Sequence, residues 1–164
     1  MKIFQSAFTM IELVFVIVVL GILSAVAIPK FAATRTDAQI SKGRADVSSI
    51  RSGIITDRQS KLIKGITNYI QAGDGTYVVN SVTYNELDKG TSLFAGVLTY
   101  GIEDSTDSGH WNRTALVDEN STKYNYNIAG ENIEFIYTRS GGIFTCSTTT
   151  GTTQAQAYCK DMIN

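Results

Sequence analysis

Histidine, tryptophan and proline occur once each among the 164 residues, and cysteine occurs twice. The single histidine, His110, has Ser and Asp neighbours in sequence, but such neighbours do not make a catalytic triad, which is defined by geometry and roles. The two cysteines lack the further Cys or His that a tetrahedral zinc site needs. Since no nucleophile–base pair or phosphate-binding loop is found either, the sequence gives no support to an enzyme. The single tryptophan, Trp111, is predicted to anchor the core.

Charge is divided unevenly along the chain. Residues 1–64 contain nine basic and four acidic residues, a net charge of +5, whereas residues 65–164 contain five basic and eleven acidic residues, a net charge of −6. Such an uneven distribution of charge indicates contacts with partner molecules and carries no information about the fold. The basic part has almost no aromatic residues among its charges, so direct binding of nucleic acid is not expected.

One long apolar run, residues 8–28, contains a single charge, Glu12. As a helix rising about 1.5 Å per residue, it is long enough to cross a bilayer core of about 30 Å. Two kinds of processing are open: removal as an ordinary signal peptide after Ala27, or a cut after Ala7 that retains the apolar helix. A carboxylate inside a signal core is costly, and Pro29 just past the first cut restricts the residue before it, so retention is favoured.

Helical periodicity continues beyond the apolar run. Apolar residues recur there at spacings typical of one helix face, which predicts an amphipathic helix to about Lys64 with a solvated opposite face. Gly21 and Pro29 predict a kink in this helix rather than its end. The apolar positions of the second half are Phe31, Ile40, Val47, Ile50, Ile54 and Leu62.

The N-terminus resembles that of the type IV pilin and type II secretion pseudopilin family. That family has a short basic leader, a cut before Phe, a Thr and an acidic residue soon after, an apolar run, and Pro near its end. Ala7 stands where the family usually has Gly, and both residues are small. The matching residues are Phe8, Thr9, Ile11-Glu12-Leu13 and Pro29.

The resemblance implies a sequence of processing and assembly steps. A prepilin peptidase would remove the leader, residues 1–7, by cutting between Ala7 and Phe8, and Phe8 would then be N-methylated. Glu12 would pair with the Phe8 amine of a neighbouring subunit, with Thr9 and Pro29 as further assembly residues. The helix dipole also favours a carboxylate in the first turn. The alternative for Glu12 is a solvated position at the membrane interface.

The resemblance also implies location and function. The chain would cross the bacterial inner membrane once, with its head in the periplasm, and an assembly platform in that membrane would move it into a filament with other pilins or pseudopilins. The filament would belong to a type II secretion system, a type IV pilus or a DNA-uptake system. The alternative function is a secreted periplasmic binding domain, cut after Ala27. The charge split further predicts that acidic heads meet basic helices between subunits, which reversing Arg51 and Arg58 would test.

The predicted fold is α+β and pilin-like. The long helix has a membrane and assembly half, residues 8–28, and an amphipathic half, residues 29–64, which packs against a small antiparallel β-meander in the head, residues 65–164. Period-two alternation predicts the three strands of this meander. They run over residues 124–128, 133–137 and 143–146.

Other parts of the head have weaker patterns. Residues 66–70 are expected to extend the long helix until Gly73-Asp74-Gly75 ends it. A short helix is expected from Leu93 to Tyr100, capped by Thr91 or Ser92. Residues 147–164 show no pattern of their own.

The cysteine pair is expected to form a disulfide between Cys146 and Cys159, because export and an even number of cysteines favour oxidation. Closing such a loop stabilises a fold by about 3 kcal/mol in the chain-entropy model. The alternative is two free, buried thiols.

Two polar loops are candidates for a ligand or a modification, each with a plain solvated loop as the alternative. Glu103, Asp104 and Asp107 offer oxygen ligands to calcium, although the spacing of an EF-hand is not met. Asn120 lies in Asp118-Glu119-Asn120-Ser121-Thr122, which matches the extended acceptor pattern of bacterial N-glycosylation. No other cofactor is expected.

Overall fold

The structure is a computed structural model that describes residues 8–70, 78–79, 82–83, 87–89, 92–118 and 120–164. The predicted leader with Ala7, the Gly73-Asp74-Gly75 turn, Thr91 and Glu119 lie outside the described residues. The chain forms two compact units, Met1–Asp37 and Ala38–Asn164, which we call the N-terminal unit and the head unit.

Helix α1 (Met10–Ile63) confirms the predicted long N-terminal helix, with Pro29 inside it. Thr9 caps its start: the Thr9 hydroxyl accepts a hydrogen bond from Glu12 N–H at 3.3 Å, and the Thr9 carbonyl accepts one from Leu13 N–H. Thr-x-x-Glu has the spacing of a capping box, a motif that satisfies amide groups left unpaired in the first helical turn. Thr9 and Glu12, which lie at the start of the apolar run, therefore also form a helix-start signal.

Gly65 sets the end of α1. Its φ is +78°, a left-handed conformation that glycine adopts at no steric cost. Gly65 N–H donates to the Leu62 carbonyl at 3.0 Å and Ile66 N–H donates to the Lys61 carbonyl at 2.9 Å, the two bonds of a Schellman motif. The predicted helical extension over residues 66–70 is therefore wrong, because the chain leaves the helix at Gly65.

Short hairpins precede the main sheet of the head unit. β1 (Val78–Val79) pairs with β2 (Val82–Thr83), and β3 (Ser92–Leu93) pairs with β4 (Ile102–Glu103), both antiparallel. The predicted helix from Leu93 to Tyr100 is wrong, because turns follow β3 and Phe94 has a left-handed φ of +59° that an α-helix does not contain. The Leu93 and Phe94 side chains are nevertheless buried, as expected.

The main sheet has four antiparallel strands in sequential order. The predicted meander is confirmed as the last three, and one further strand lies beside them at the sheet edge. Ala129 and Gly130 join the second strand to the third, both with positive φ, as tight hairpin turns of type I′ require. The strands are β5 (Trp111–Asp118), β6 (Ser121–Ile128), β7 (Glu131–Thr138) and β8 (Ile143–Cys146).

Alternation along the strands places aromatic side chains on one face of this sheet. Every second residue through β6 is buried, and the same holds for most of β7. Val47, Ile50 and Ile54 of α1, three and four residues apart, lie in the same buried core as these rings. The head unit is thus α+β, as predicted, with a core of Trp111, Tyr124, Tyr126, Phe135, Tyr137 and Phe144 between helix and sheet.

Helix α2 (Thr153–Ile163) corrects the expectation of a patternless C-terminal segment. The Thr152 hydroxyl caps it by accepting a hydrogen bond from Ala155 N–H at 3.0 Å. The predicted disulfide is confirmed: it joins Cys146 of β8 to Cys159 of α2 with their Cα atoms 6.0 Å apart. The buried residues of α2 are Ala155, Cys159 and Met162.

Candidate functional site

The first part of α1 exposes its apolar side chains. From Phe8 to Phe31, which we call the apolar segment, every large apolar residue is exposed, between 37% for Val19 and 83% for Met10. The helix is long and apolar enough to cross a membrane, and none of its most apolar window is buried. A contiguous apolar surface of this kind marks contact with lipid or with another protein. A single membrane-spanning helix is compatible with this finding.

The predicted assembly residues lie together at the start of this segment. Glu12 is exposed in the first turn of α1, and its backbone N–H is held by the Thr9 hydroxyl. Phe8 is also exposed. Pairing of Glu12 with a Phe8 amine involves two subunits and stays a prediction, as do cleavage after Ala7 and N-methylation.

Small residues interrupt the apolar segment. A Cβ placed on Gly21 would meet no heavy atom within 4 Å, and Ser24 and Ala25 are exposed. Small side chains allow the backbone of a second helix to approach closely, which is how helices associate in lipid. The segment therefore has the surface that a helix bundle needs.

Basic side chains on the second part of α1 donate to backbone carbonyls elsewhere in the head unit. A hydrogen bond from an ammonium or guanidinium group is charge-assisted and stronger than one between neutral groups. These four cation–carbonyl contacts hold α1 to three loops or strands and to α2. They are Lys42 to Gly109 (2.6 Å), Arg44 to Asp161 (2.8 Å), Arg51 to Phe144 (2.9 Å) and Arg58 to Thr67.

The cation–carbonyl contacts change the interpretation of the basic charge in residues 1–64. Reversing Arg51 and Arg58 would disturb the head unit itself, so that double variant does not isolate contacts between subunits. Within the part of the chain that the structure describes, the Lys30 and Arg35 side chains make no such contact. Lys30 and Arg35 therefore differ from the four cations that hold α1 to other parts of the head unit.

Asp88 is a fully buried carboxylate in the head unit. It accepts hydrogen bonds from Phe94 N–H at 2.8 Å and the Tyr124 hydroxyl at 2.8 Å, and the Arg113 guanidinium lies 3.4 Å away. Burial raises the pKa of Asp88 to about 6, and the hydrogen bonds and the Arg113 charge offset part of that rise. Burial, and then the nearby Asp88 charge, raise the pKa of Tyr124. The carboxylate fixes the left-handed turn at Phe94 against the sheet.

Trp111 and His110 follow the loop that contains Asp104 and Asp107, at the start of β5. Trp111 is fully buried, as predicted, and its Nε1–H donates to Asp46 of α1 at 3.0 Å. Burial raises the pKa of Asp46, and this hydrogen bond and the Lys42 charge oppose the rise. His110 is half-buried, and its Nδ1 has no hydrogen-bond partner among the described residues.

The three calcium candidates precede His110 and Trp111 in the chain. Glu103 is in β4, and Asp104 and Asp107 follow it; all three are exposed. The Asp107 carbonyl accepts a hydrogen bond from His110 N–H at 3.1 Å, which closes the loop through its backbone. Within the described ranges, no group of three or more His, Cys, Asp or Glu side chains is placed to hold a metal ion. Calcium binding stays a prediction.

Asn120 is exposed in the tight connection between β5 and β6. Its carbonyl accepts a hydrogen bond from Arg139 N–H at 2.7 Å, so the backbone at Asn120 is held by the residue that follows β7. An asparagine that receives a glycan must lie on the surface. The position is compatible with glycosylation, which stays a prediction.

Sequence patterns did not indicate Asp88 or the cation–carbonyl contacts, because both depend on packing between distant segments. α2 had a usable signal, since Thr152 precedes apolar residues at the helical spacing of Ala155, Cys159 and Met162. No protein-family model, no curated protein and no solved structure matches this chain.

Proposed function

We propose that this protein is a structural subunit of a filament assembled at the bacterial inner membrane, a pilin or pseudopilin. The observation that carries the proposal is the apolar segment, whose large apolar side chains are exposed although α1 contributes a buried face to the head unit. An exposed apolar surface of this size must be shielded from water by lipid or by protein. The resemblance of residues 7–31 to pilin N-termini indicates that both do so in turn. Lipid covers it before assembly, and neighbouring helices cover it in the filament.

Transfer between these two environments has little hydrophobic driving force, since lipid tails are as apolar as the helices. Packing and polar contacts must therefore supply it. Small residues such as Gly21 and Ser24 serve the packing. Glu12 supplies a polar contact, because a carboxylate in an apolar bundle needs a cation and the Phe8 amine of a neighbouring subunit is one.

N-terminal mass analysis of the protein purified from bacterial membranes tests the proposal. A mature chain that begins at methylated Phe8 is the expected result. The second candidate function, a secreted periplasmic binding domain, has support from the compact head unit with its disulfide. A mature chain that begins at Ile28 would favour this second function and contradict the first.

A further inference from the structure

A basic cleft lies at one end of the head unit, away from the apolar segment in sequence. Its volume is about 360 Å³, within the roughly 300–1,000 Å³ usual for small-molecule sites. The end of α1, the segment that follows it and the turns before β6 and after β7 form its walls. We call it the arginine cleft; its walls include Arg58, Asn68, Tyr69, Asn120, Arg139 and Ser140.

Arg58 is held in a fixed position in the arginine cleft. Its guanidinium donates to the Thr67 carbonyl and lies 4.6 Å from the centre of the Tyr69 ring. Tyr69 itself is pressed against the backbone of Gly142, where a Cβ would come within 2.3 Å of the ring. Because a guanidinium has five N–H donors, Arg58 keeps donors for a ligand after its contact with Thr67.

Arg139 supplies a second guanidinium. Its backbone is fixed, since Arg139 N–H donates to Asn120 and the Arg139 carbonyl accepts from Gly142 N–H at 3.2 Å. The Arg139 side chain, half-buried, has no hydrogen bond or ion pair with any residue that the structure describes. The neighbouring acid on α1, Asp57, is paired with Lys61 at 2.7 Å. The described walls of the cleft contain two positive charges and no carboxylate.

We propose that the arginine cleft binds a small hydroxylated oxyanion, a carboxylate or a phosphate on a polyol or sugar. Guanidinium forks match the geometry of both oxyanions and bind them through paired hydrogen bonds. The side-chain amide of Asn68 and the hydroxyl of Ser140 are suited to hydroxyl groups of the same ligand. Tyr69 is covered by Arg58 and by Gly142, so recognition uses charge and hydrogen bonds rather than stacking. This proposal does not depend on the filament function.

Isothermal titration calorimetry of the full chain in a non-ionic detergent tests the proposal. The probes are glucuronate, glucose 6-phosphate, inorganic phosphate and glucose. We expect the two charged sugars to bind and glucose to bind about tenfold more weakly or not at all, since a hydrogen bond to a charged group is worth about that factor. Binding of inorganic phosphate as tight as that of glucose 6-phosphate would overturn the hydroxyl contacts.

Arg139→Gln is the decisive variant, because Arg139 makes no side-chain contact that the fold needs in the described structure. Its affinity for the charged sugars should fall about tenfold or more, with an unchanged thermal unfolding curve. Lys160→Gln is the matched control: it removes one positive charge from the exposed surface of α2, outside the cleft. No binding of either charged sugar to the unaltered chain, or equal losses in both variants, would overturn the site.

Discussion

Asp88 binds its proton more tightly in the folded head unit than in the unfolded chain, because burial raises its pKa to about 6 from an unfolded value near 3.9. A group of this kind stabilises the fold most below the unfolded pKa, where it is protonated in both states. Its contribution is lost as pH rises from about 4 to about 6 and then stays constant. The shift corresponds to about 3 kcal/mol. Asp46, whose pKa is also raised, acts in the same direction.

Asp88→Asn should remove this part of the pH dependence. We expect the difference in unfolding free energy, original chain minus variant, to fall by about 2 kcal/mol between pH 4 and pH 7. Urea unfolding of both chains across that range measures it. Asp161→Asn, which removes an exposed carboxylate on α2, is the control for the loss of one acidic side chain. An equal pH dependence of the two variants would show that the Asp88 carboxylate is not buried in solution.

Among the elements of the head unit, α1 and the turn after β3 approach each other closely at Gly53. A Cβ placed there would lie 2.6 Å from the Val97 carbonyl oxygen, a contact with backbone that cannot rotate away. In an open helix, Gly to Ala stabilises by up to about 1 kcal/mol. At Gly53 the steric cost outweighs that gain, so the close approach depends on the absence of a side chain.

Gly53→Ala should therefore lower the unfolding free energy of the head unit by about 1–3 kcal/mol, the usual cost of overpacking. Chemical unfolding followed by tryptophan fluorescence reports it, since Trp111 lies in the core. Ser52→Ala, at the adjacent exposed position of α1, is expected to change stability by about 0.5 kcal/mol or less. A Gly53→Ala chain as stable as the original would contradict the close approach of helix and turn.

For the molecule as a whole, assembly is predicted to depend on Glu12. Glu12→Val should leave insertion into the membrane intact, because it makes the apolar segment more apolar. It should abolish incorporation into filaments, because the Phe8 amine of a neighbouring subunit loses its partner. Immunoblots of the membrane fraction and of sheared filaments separate these two outcomes.

Glu12→Asp is the matched control for this experiment, since it keeps the carboxylate and should retain part of the assembly. Filaments that form normally from Glu12→Val subunits would remove the pairing role proposed for this residue.

Local patterns were enough to predict the long helix, three strands of the main sheet and the disulfide. Each depends on a short repeat or on one residue pair. β5 escaped detection because two irregularities, at Arg113/Ala115 and Leu116/Asp118, break its alternation. The apolar residues from Leu93 to Leu98 have helical spacing, yet a left-handed Phe94 held by Asp88 makes them a buried turn.

The candidate site also has one part that local sequence patterns predict and one part that depends on contacts between distant segments. The exposed apolar segment with Thr9 and Glu12 could be predicted because it is contiguous in sequence. The cation–carbonyl contacts and the arginine cleft could not, because their partners come from segments as far apart as α1 and α2. Side chains of the same type, such as Arg35 and Arg51, differ in role only through what the fold places beside them.

The cation–carbonyl contacts are a part of the attachment of α1 within the head unit that does not depend on a carboxylate. Between pH 4 and pH 7, a backbone carbonyl does not become protonated and an arginine guanidinium does not lose a proton. An ion pair with a carboxylate would weaken as the medium became acidic, but these contacts do not. Acidity therefore acts on the turn that Asp88 holds and on the Asp46–Trp111 hydrogen bond, and it leaves the four cation–carbonyl contacts of α1 unchanged. The second part of α1 thus keeps these four contacts across the pH range in which the protonation of Asp88 changes.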